Sequence, residues 1–364
     1  MKKLICILFF LPFFLNCHTA FASENKTEYL IDKNEIDSSL TEDAKKISGE
    51  IKLNGTYDIK AAFKRLFDYS TELFERKIKN ELGFGLELVA LAVLCSVVNC
   101  FCKDKSILTY MNILSCTAAA IMISGSVDSL IRQASETMQK LSDYSKAAMP
   151  AIFSAAAACG APASSAAKYA AASLSIDVLI SLAVKYIVPL VKLYITAAIS
   201  RSIFDNSILT AIIKFIKWLI TTSMTVTTMA FTAYISFTGL ISGTVDAAAV
   251  KTTRTIIANG LPVVGKLISD ASSVILAGAN MVKNSAGVYC LIAVCALCAS
   301  PFLDLMVKML VFKASAAACD MLPGAKLSGL INDLGTAFSM LLGLVGCCGI
   351  MLFISIIAGI KVIV

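Results

Sequence analysis

Histidine is almost missing from this 364-residue chain: the one copy, His18, lies in the first two dozen residues. Catalytic triads built on imidazole, histidine zinc sites and histidine proton shuttles are thereby excluded from the rest of the chain. Charge is scarce too, with 16% Asp, Glu, Lys and Arg against the roughly 25% usual in a soluble domain. The stretch 23–80 has no cysteine, so no disulfide framework braces it. No dense basic patch with interleaved aromatics occurs, which excludes nucleic-acid binding despite a formal net charge of +7. A phosphate-binding loop is nearly present but fails. Gly260 to Lys266 has the G-x-x-x-x-G-K spacing, yet Leu267 stands where a magnesium-holding hydroxyl is needed, and Pro262 interrupts the amide cradle. No cofactor or metal is implied, and no nucleophile–base pair marks an enzyme.

Long uncharged runs are what the chain has instead. Residues 106–127, 147–167, 218–245, 284–303 and 334–360 carry no charge at all. A bilayer core takes about 20 apolar residues per helical span. Adding runs near 84–102 and 174–198, the sequence predicts an all-α, polytopic membrane protein with about seven transmembrane helices.

The amino terminus reads as a cleavable signal peptide over 1–22. Lys2 and Lys3 precede an apolar stretch from Leu4 to Leu15, and Ala20-Phe21-Ala22 fits a cleavage pattern. Residues 23–80 are then extracytoplasmic, polar and loosely structured at first. From Tyr57, Phe63, Leu66, Phe67, Leu73, Phe74 and Ile78 recur at helical spacing among charges, which predicts an amphipathic juxtamembrane helix. It either lies on a surface, the membrane's or its own protein's, or docks a partner. The remainder, 81–364, is a transmembrane helical domain. Lys103, Asp104 and Lys105 form a cytoplasmic turn between the first two spans. Following seven spans places 246–283 and Lys361 in the cytoplasm but Lys214 and Lys217 outside, against the positive-inside bias.

Ionisable groups in apolar stretches are functional candidates. Asp177, Lys185 and Lys192 fall in the fourth span. Asp304 and Lys308 are one turn apart, close enough to neutralise each other. They suit either a transporter's relay or structural pairs. Thr221, Thr225, Thr228, Thr232 and Ser236 share a helical face, and such hydroxyls usually bond the carbonyl four residues back. Gly335, Ser339 and Gly343 put small residues four apart, the pattern of a close helix contact. Cys295 and Cys298 read as apolar fillers. Within 246–283, Gly260, Pro262 and Gly265 break a helix between Asn259 and Lys266, predicting paired short helices that are amphipathic or re-entrant.

The segment Lys251 to Asp270, KTTRTIIANGLPVVGKLISD, continues as ASSVILAGANMVKNSAGV to Val288. With the signal segment and the order of spans, it resembles the stage III sporulation protein AE family of endospore-forming bacteria, over essentially the whole mature chain. Lys251, Arg254, Asn259, Gly260, Pro262, Gly265 and Asp270 lie in this block and are candidate structural or path-lining residues.

The resemblance implies a scaffold or conduit subunit, without catalysis, of a channel complex linking mother cell and forespore. It implies a place in the mother-cell membrane around the forespore and a need for the protein in forespore development. Its partners would be other products of the same operon, including a separate ATPase and ring-forming subunits. A stand-alone solute permease or secondary transporter is the alternative reading.

Overall fold

The computed structural model describes residues 40, 44–45, 59–101, 104–158, 162–204, 206–260, 265–322 and 327–360, with the side chains of 59, 60, 63, 105, 158, 162, 164, 236, 238–286 and 360 outside that description. The signal segment and most of 23–58 therefore lie outside the described residues. Every described element is helical. In chain order these are α1 (Ile59–Phe101), α2 (Lys105–Ala158), α3 (Pro162–Leu182), a π-helical turn (Ala183–Ile187), α4 (Val188–Phe204), α5 (Ser207–Gly260), α6 (Gly265–Asp320) and α7 (Leu327–Ile360). The π turn joins α3 and α4 into one rod. Among the described residues six helical rods are thus long and apolar enough to cross a membrane.

The described residues thus hold six where the sequence predicts about seven, and the difference lies in α2. This helix runs 54 residues without a break. It takes in 106–127, the charged stretch 128–146 and the start of 147–167. Charges of alternating sign suit an exposed helix face as well as a loop, and Arg132 and Glu136 face each other one turn apart at 3.9 Å. The interruption falls instead between Ala158 and Pro162, which opens α3 at the position where a missing N–H costs nothing. Only twelve residues of 147–158 precede it, about 18 Å of helix and too little to cross alone.

Losing one crossing reorders everything after it. Successive rods alternate in direction, so the α1–α2, α4–α5 and α6–α7 turns share one end of the bundle. The α2–α3 and α5–α6 turns share the other. Lys214 and Lys217 therefore sit toward the same end of the bundle as Lys105, where seven crossings would have put them at the opposite one. The stretch 246–283 and the end of α7 belong to the opposite end, not to the side of the Lys103–Lys105 turn.

Two further segments bear on expectations from the sequence. From Ile59 the amphipathic segment is the first half of the 43-residue α1, continuous with the first span, and of the readings left open it takes the one in which it packs on its own protein. Its apolar stripe is buried on its own protein: Leu73 and Phe74 pack with Leu303, Met306, Val307 and Val311 of α6. The stretch 246–283 is not a pair of isolated short helices. Its arms are the distal parts of α5 and α6, and the break lies between Gly260 and Gly265, where the glycines and Pro262 place it.

The core is built around α7, which packs against α2, α3, α4, α5 and α6. Small residues set the closest approaches. A Cβ on Gly343 would lie 3.0 Å from Met224 of α5, and one on Gly335 would lie 3.3 Å from the stem of Lys313 of α6. The small-residue spacing of α7 is thus a true helix contact, shared between two neighbours. Phe312 of α6 is fully buried, edge-on to Phe338 at 4.8 Å and 6.0 Å from Phe84. Outward, α1, the first half of α2, α3 and α5 expose large apolar side chains such as Leu86, Leu94, Leu114, Val178, Phe215 and Met229. So large an apolar surface is tolerated only where water does not reach it. The chain is accordingly a multi-pass membrane protein.

Candidate functional site: ion pairs within the bundle and an adjoining groove

Polar side chains inside the bundle concentrate in two layers. The first ties α1 and α2 to α6. Lys77 donates to the Asp304 carboxylate, and Gln133 Nε2 donates to its other oxygen at 2.7 Å. One turn further, Lys308 meets Glu81 at 3.5 Å. Asp304 and Lys308 therefore do not neutralise each other, as their spacing suggested. Each finds its countercharge on α1, because α1 lies parallel to α6 with Lys77, Glu81 and Phe84 beside Asp304, Lys308 and Phe312. The helix predicted as amphipathic supplies these partners.

The second layer lies near the α4–α5 and α6–α7 turns. Arg201 of α4 donates to Asp333 of α7 at 2.5 Å. The buried Tyr194 lies beside Asp333 and Thr336. Lys313 of α6 donates to Thr336 Oγ1 at 2.7 Å, to Asn332 Oδ1 at 2.8 Å and to the Asn332 carbonyl at 3.2 Å. All three acceptors are neutral, and the nearby Asp333 carboxylate is engaged by Arg201. The sequence reading missed this layer. Asp333 sits one residue before an uncharged run and looked like its boundary, and nothing local links it to Arg201, 132 positions away.

Beside this layer, α5, α6 and α7 enclose an open groove of about 590 Å³. Lys217, Lys313 and Thr336 line one end, and Met224, Gly343 and Cys347 lie further along. The α5 threonines do what their spacing predicts. Thr221, Thr225, Thr228 and Thr232 each donate to the carbonyl four residues back at 2.9 Å. With its hydroxyl so occupied, a threonine presents mainly its methyl to the groove.

The other sequence candidates are dispersed. Asp177 approaches Lys146 of α2 at 4.0 Å with both side chains exposed, a surface pair of little energetic weight. Lys185 is exposed on the π turn. Lys192 borders a small cavity of about 230 Å³ whose lining includes Asp128. Lys251, Arg254, Asn259 and Gly260 fall on the distal part of α5, and Gly265 and Asp270 open α6, with side chains outside the described residues. Pro262 lies outside them altogether. Among the described residues no group of His, Cys, Asp and Glu is arranged to hold a metal ion. Cys295 and Cys298 are unbonded to each other, and Cys295 is buried as an apolar side chain.

Comparison with known proteins follows the same lines. The family model for stage III sporulation protein AE matches residues 43–362. A curated relative, stage III sporulation protein AE of Bacillus subtilis (strain 168), is 19% identical over 296 residues, covering 80% of this chain and 73% of the relative. No solved structure matches.

Proposed function

Because the chain belongs to the stage III sporulation protein AE family, we propose that it is a non-catalytic membrane subunit of a channel complex linking mother cell and forespore. It resides in the mother-cell membrane around the forespore and serves forespore development as scaffold or conduit wall. Its partners are other proteins of the same operon, among them an ATPase that supplies the energy and ring-forming subunits.

One observation carries the reading of a subunit over that of a protein working alone. Apolar surface is staggered between the two sides of the bundle. Asp304 meets Gln133 of α2, and Phe302, two residues earlier on the same helix, faces Gly346 of α7. Met224 of α5 faces Gly343. Residues 132–140 of α2 and 220–229 of α5 therefore lie at about the same height, with α7 packed against both helices and Gly359 of α7 meeting Ile152 of α2. At that height α5 exposes Val226 (58%) and Met229 (67%), whereas α2 exposes the side chains of Arg132 (76%) and Glu136 (59%). Exposed charges continue along α1 at Lys64, Arg65, Asp68 and Glu72. A flat slab of hydrocarbon across the bundle suits one side or the other, not both, since each charge at its centre costs about 2.5–3.5 kcal/mol. A neighbouring protein or an aqueous path against α1 and α2 removes the conflict.

The permease alternative loses part of its motive, since two of the intramembrane charges that suggested a relay are paired across helices, Asp304 with Lys77 and Lys308 with Glu81. Affinity capture of the full chain from sporulating cells tests the proposal. The operon's other products should co-purify in defined proportion, and the purified chain alone should leave vesicles impermeable. Capture of the chain by itself, together with solute movement in vesicles containing nothing else, would sink it.

A further inference from the structure

We propose that the groove between α5, α6 and α7 is a binding site for one anionic phospholipid, its phosphate at Lys217 and Lys313 and an acyl chain along the groove toward Cys347. Four features point to this ligand. The groove is polar at one end and apolar along its length, as a lipid is. Thr336 and the two lysines stand at the polar end, and Met224, Met229 and Gly343 line the rest. Its extent fits: from Lys217 to Met229 is twelve residues of α5, about 18 Å, comparable to an acyl chain and to half the roughly 30 Å hydrocarbon core.

The charge at the polar end is unspent. Lys313 holds only neutral oxygens, and the carboxylate nearest to it is held by Arg201. Lys217 is exposed on the adjacent helix, so among the described residues Lys217, Lys313 and Arg201 share the single Asp333 carboxylate and leave positive charge in excess at this end. Basic pockets between membrane helices are the usual recognition chemistry for acidic headgroups. The height is that of a membrane interface. Trp218 and Phe215 are exposed beside Lys217, and aromatic side chains of this kind settle at headgroup level. The groove opens sideways, so a lipid enters from the bilayer without crossing water.

The chain carries its own reporter, because Trp218 is its single tryptophan. The full-length protein is placed in phosphatidylcholine vesicles containing either brominated phosphatidylglycerol or brominated phosphatidylcholine at equal fraction, and Trp218 quenching is followed. Phosphatidylglycerol should quench at lower fraction, with a preference of roughly fivefold for each lysine. Lys217→Gln and Lys313→Gln should each reduce that preference, and the double variant should abolish it. Lys214→Gln, on the same helix but outside the groove, should leave it unchanged. Soluble glycerol phosphate should fail to displace the brominated lipid.

Equal quenching by the two lipids in the unaltered chain overturns the proposal. So does a loss in Lys214→Gln as large as in Lys217→Gln, which would mean diffuse attraction to the surface. Displacement by glycerol phosphate alone would show a phosphate site that makes no use of the groove's length. Far-ultraviolet circular dichroism on every variant separates loss of binding from loss of fold.

Discussion

Replacing Arg201 with methionine should expose how much of this bundle is held by charge. The substitution keeps most of the side chain's bulk but leaves Asp333, with 12% of its side chain exposed, without its 2.5 Å donor. Orphaning one partner of a buried pair costs about 3–5 kcal/mol. Two features of this site lower that figure. A quarter of the Arg201 side chain is exposed, and Lys313 and Lys217 also act on the Asp333 carboxylate. We therefore expect about 2 kcal/mol, roughly a thirtyfold change in the folded fraction. Asp333→Leu alone should cost less, about 1 kcal/mol, because Arg201 lies in the last turn of α4 and can reach outward to the interface. The double variant Arg201→Met with Asp333→Leu should return to within about 1 kcal/mol of the parent, since no buried charge is left alone. The cycle then gives a coupling of about 2 kcal/mol. Unfolding of the full chain by sodium dodecyl sulfate in mixed micelles, followed by circular dichroism, reads all four corners. Strictly additive single effects would refute the claim that the two side chains act as a pair.

Other outcomes follow from single contacts. Gly85→Leu should loosen α1 from α6 by about 1–3 kcal/mol, because even a Cβ at Gly85 would stand 2.6 Å from Val311 and 2.9 Å from Ser315. Gly83→Ala is the matched control: nothing lies within 4 Å, and the exchange should stabilise the helix by about 0.5–1 kcal/mol in the same unfolding assay. Six crossings place residue 104 and residue 253 at opposite ends of the bundle. In a cysteine-free background, Asp104→Cys and Thr253→Cys should react with a membrane-impermeant maleimide from opposite sides, whereas seven crossings would make both accessible from the same side. Lys77→Met should lower stability by about 2 kcal/mol through the orphaned Asp304, and Asp304→Asn in the same chain should restore most of it, as Gln133 still has an acceptor there.

Helix content and membrane residence were legible because they depend on composition alone: uncharged runs of twenty residues have one economical explanation. The hydroxyl bonds of the α5 threonines and the small-residue face of α7 were legible because helical periodicity fixes which residues share a face. What escaped the sequence depends on partners distant along the chain. Residues 128–146 alternate in charge, and that pattern suits an exposed helix as well as a loop, so one crossing was counted twice. Asp304 and Lys308 looked like each other's partners until α1 was seen to lie parallel to α6. Asp333 carried no local signal, since its meaning comes from Arg201 on another helix. The block that carries the family resemblance, 251–288, shows where α5 and α6 turn, and for most of it the described residues extend to backbone alone.

The staggered surface is the centre of this account, and photo-crosslinking from matched heights tests it most directly. A photoreactive amino acid is placed at Glu136 on α2 or at Met229 on α5, in the full chain, in sporulating cells. The account predicts protein adducts from position 136 and lipid adducts from position 229. Lipid adducts from both positions would contradict it.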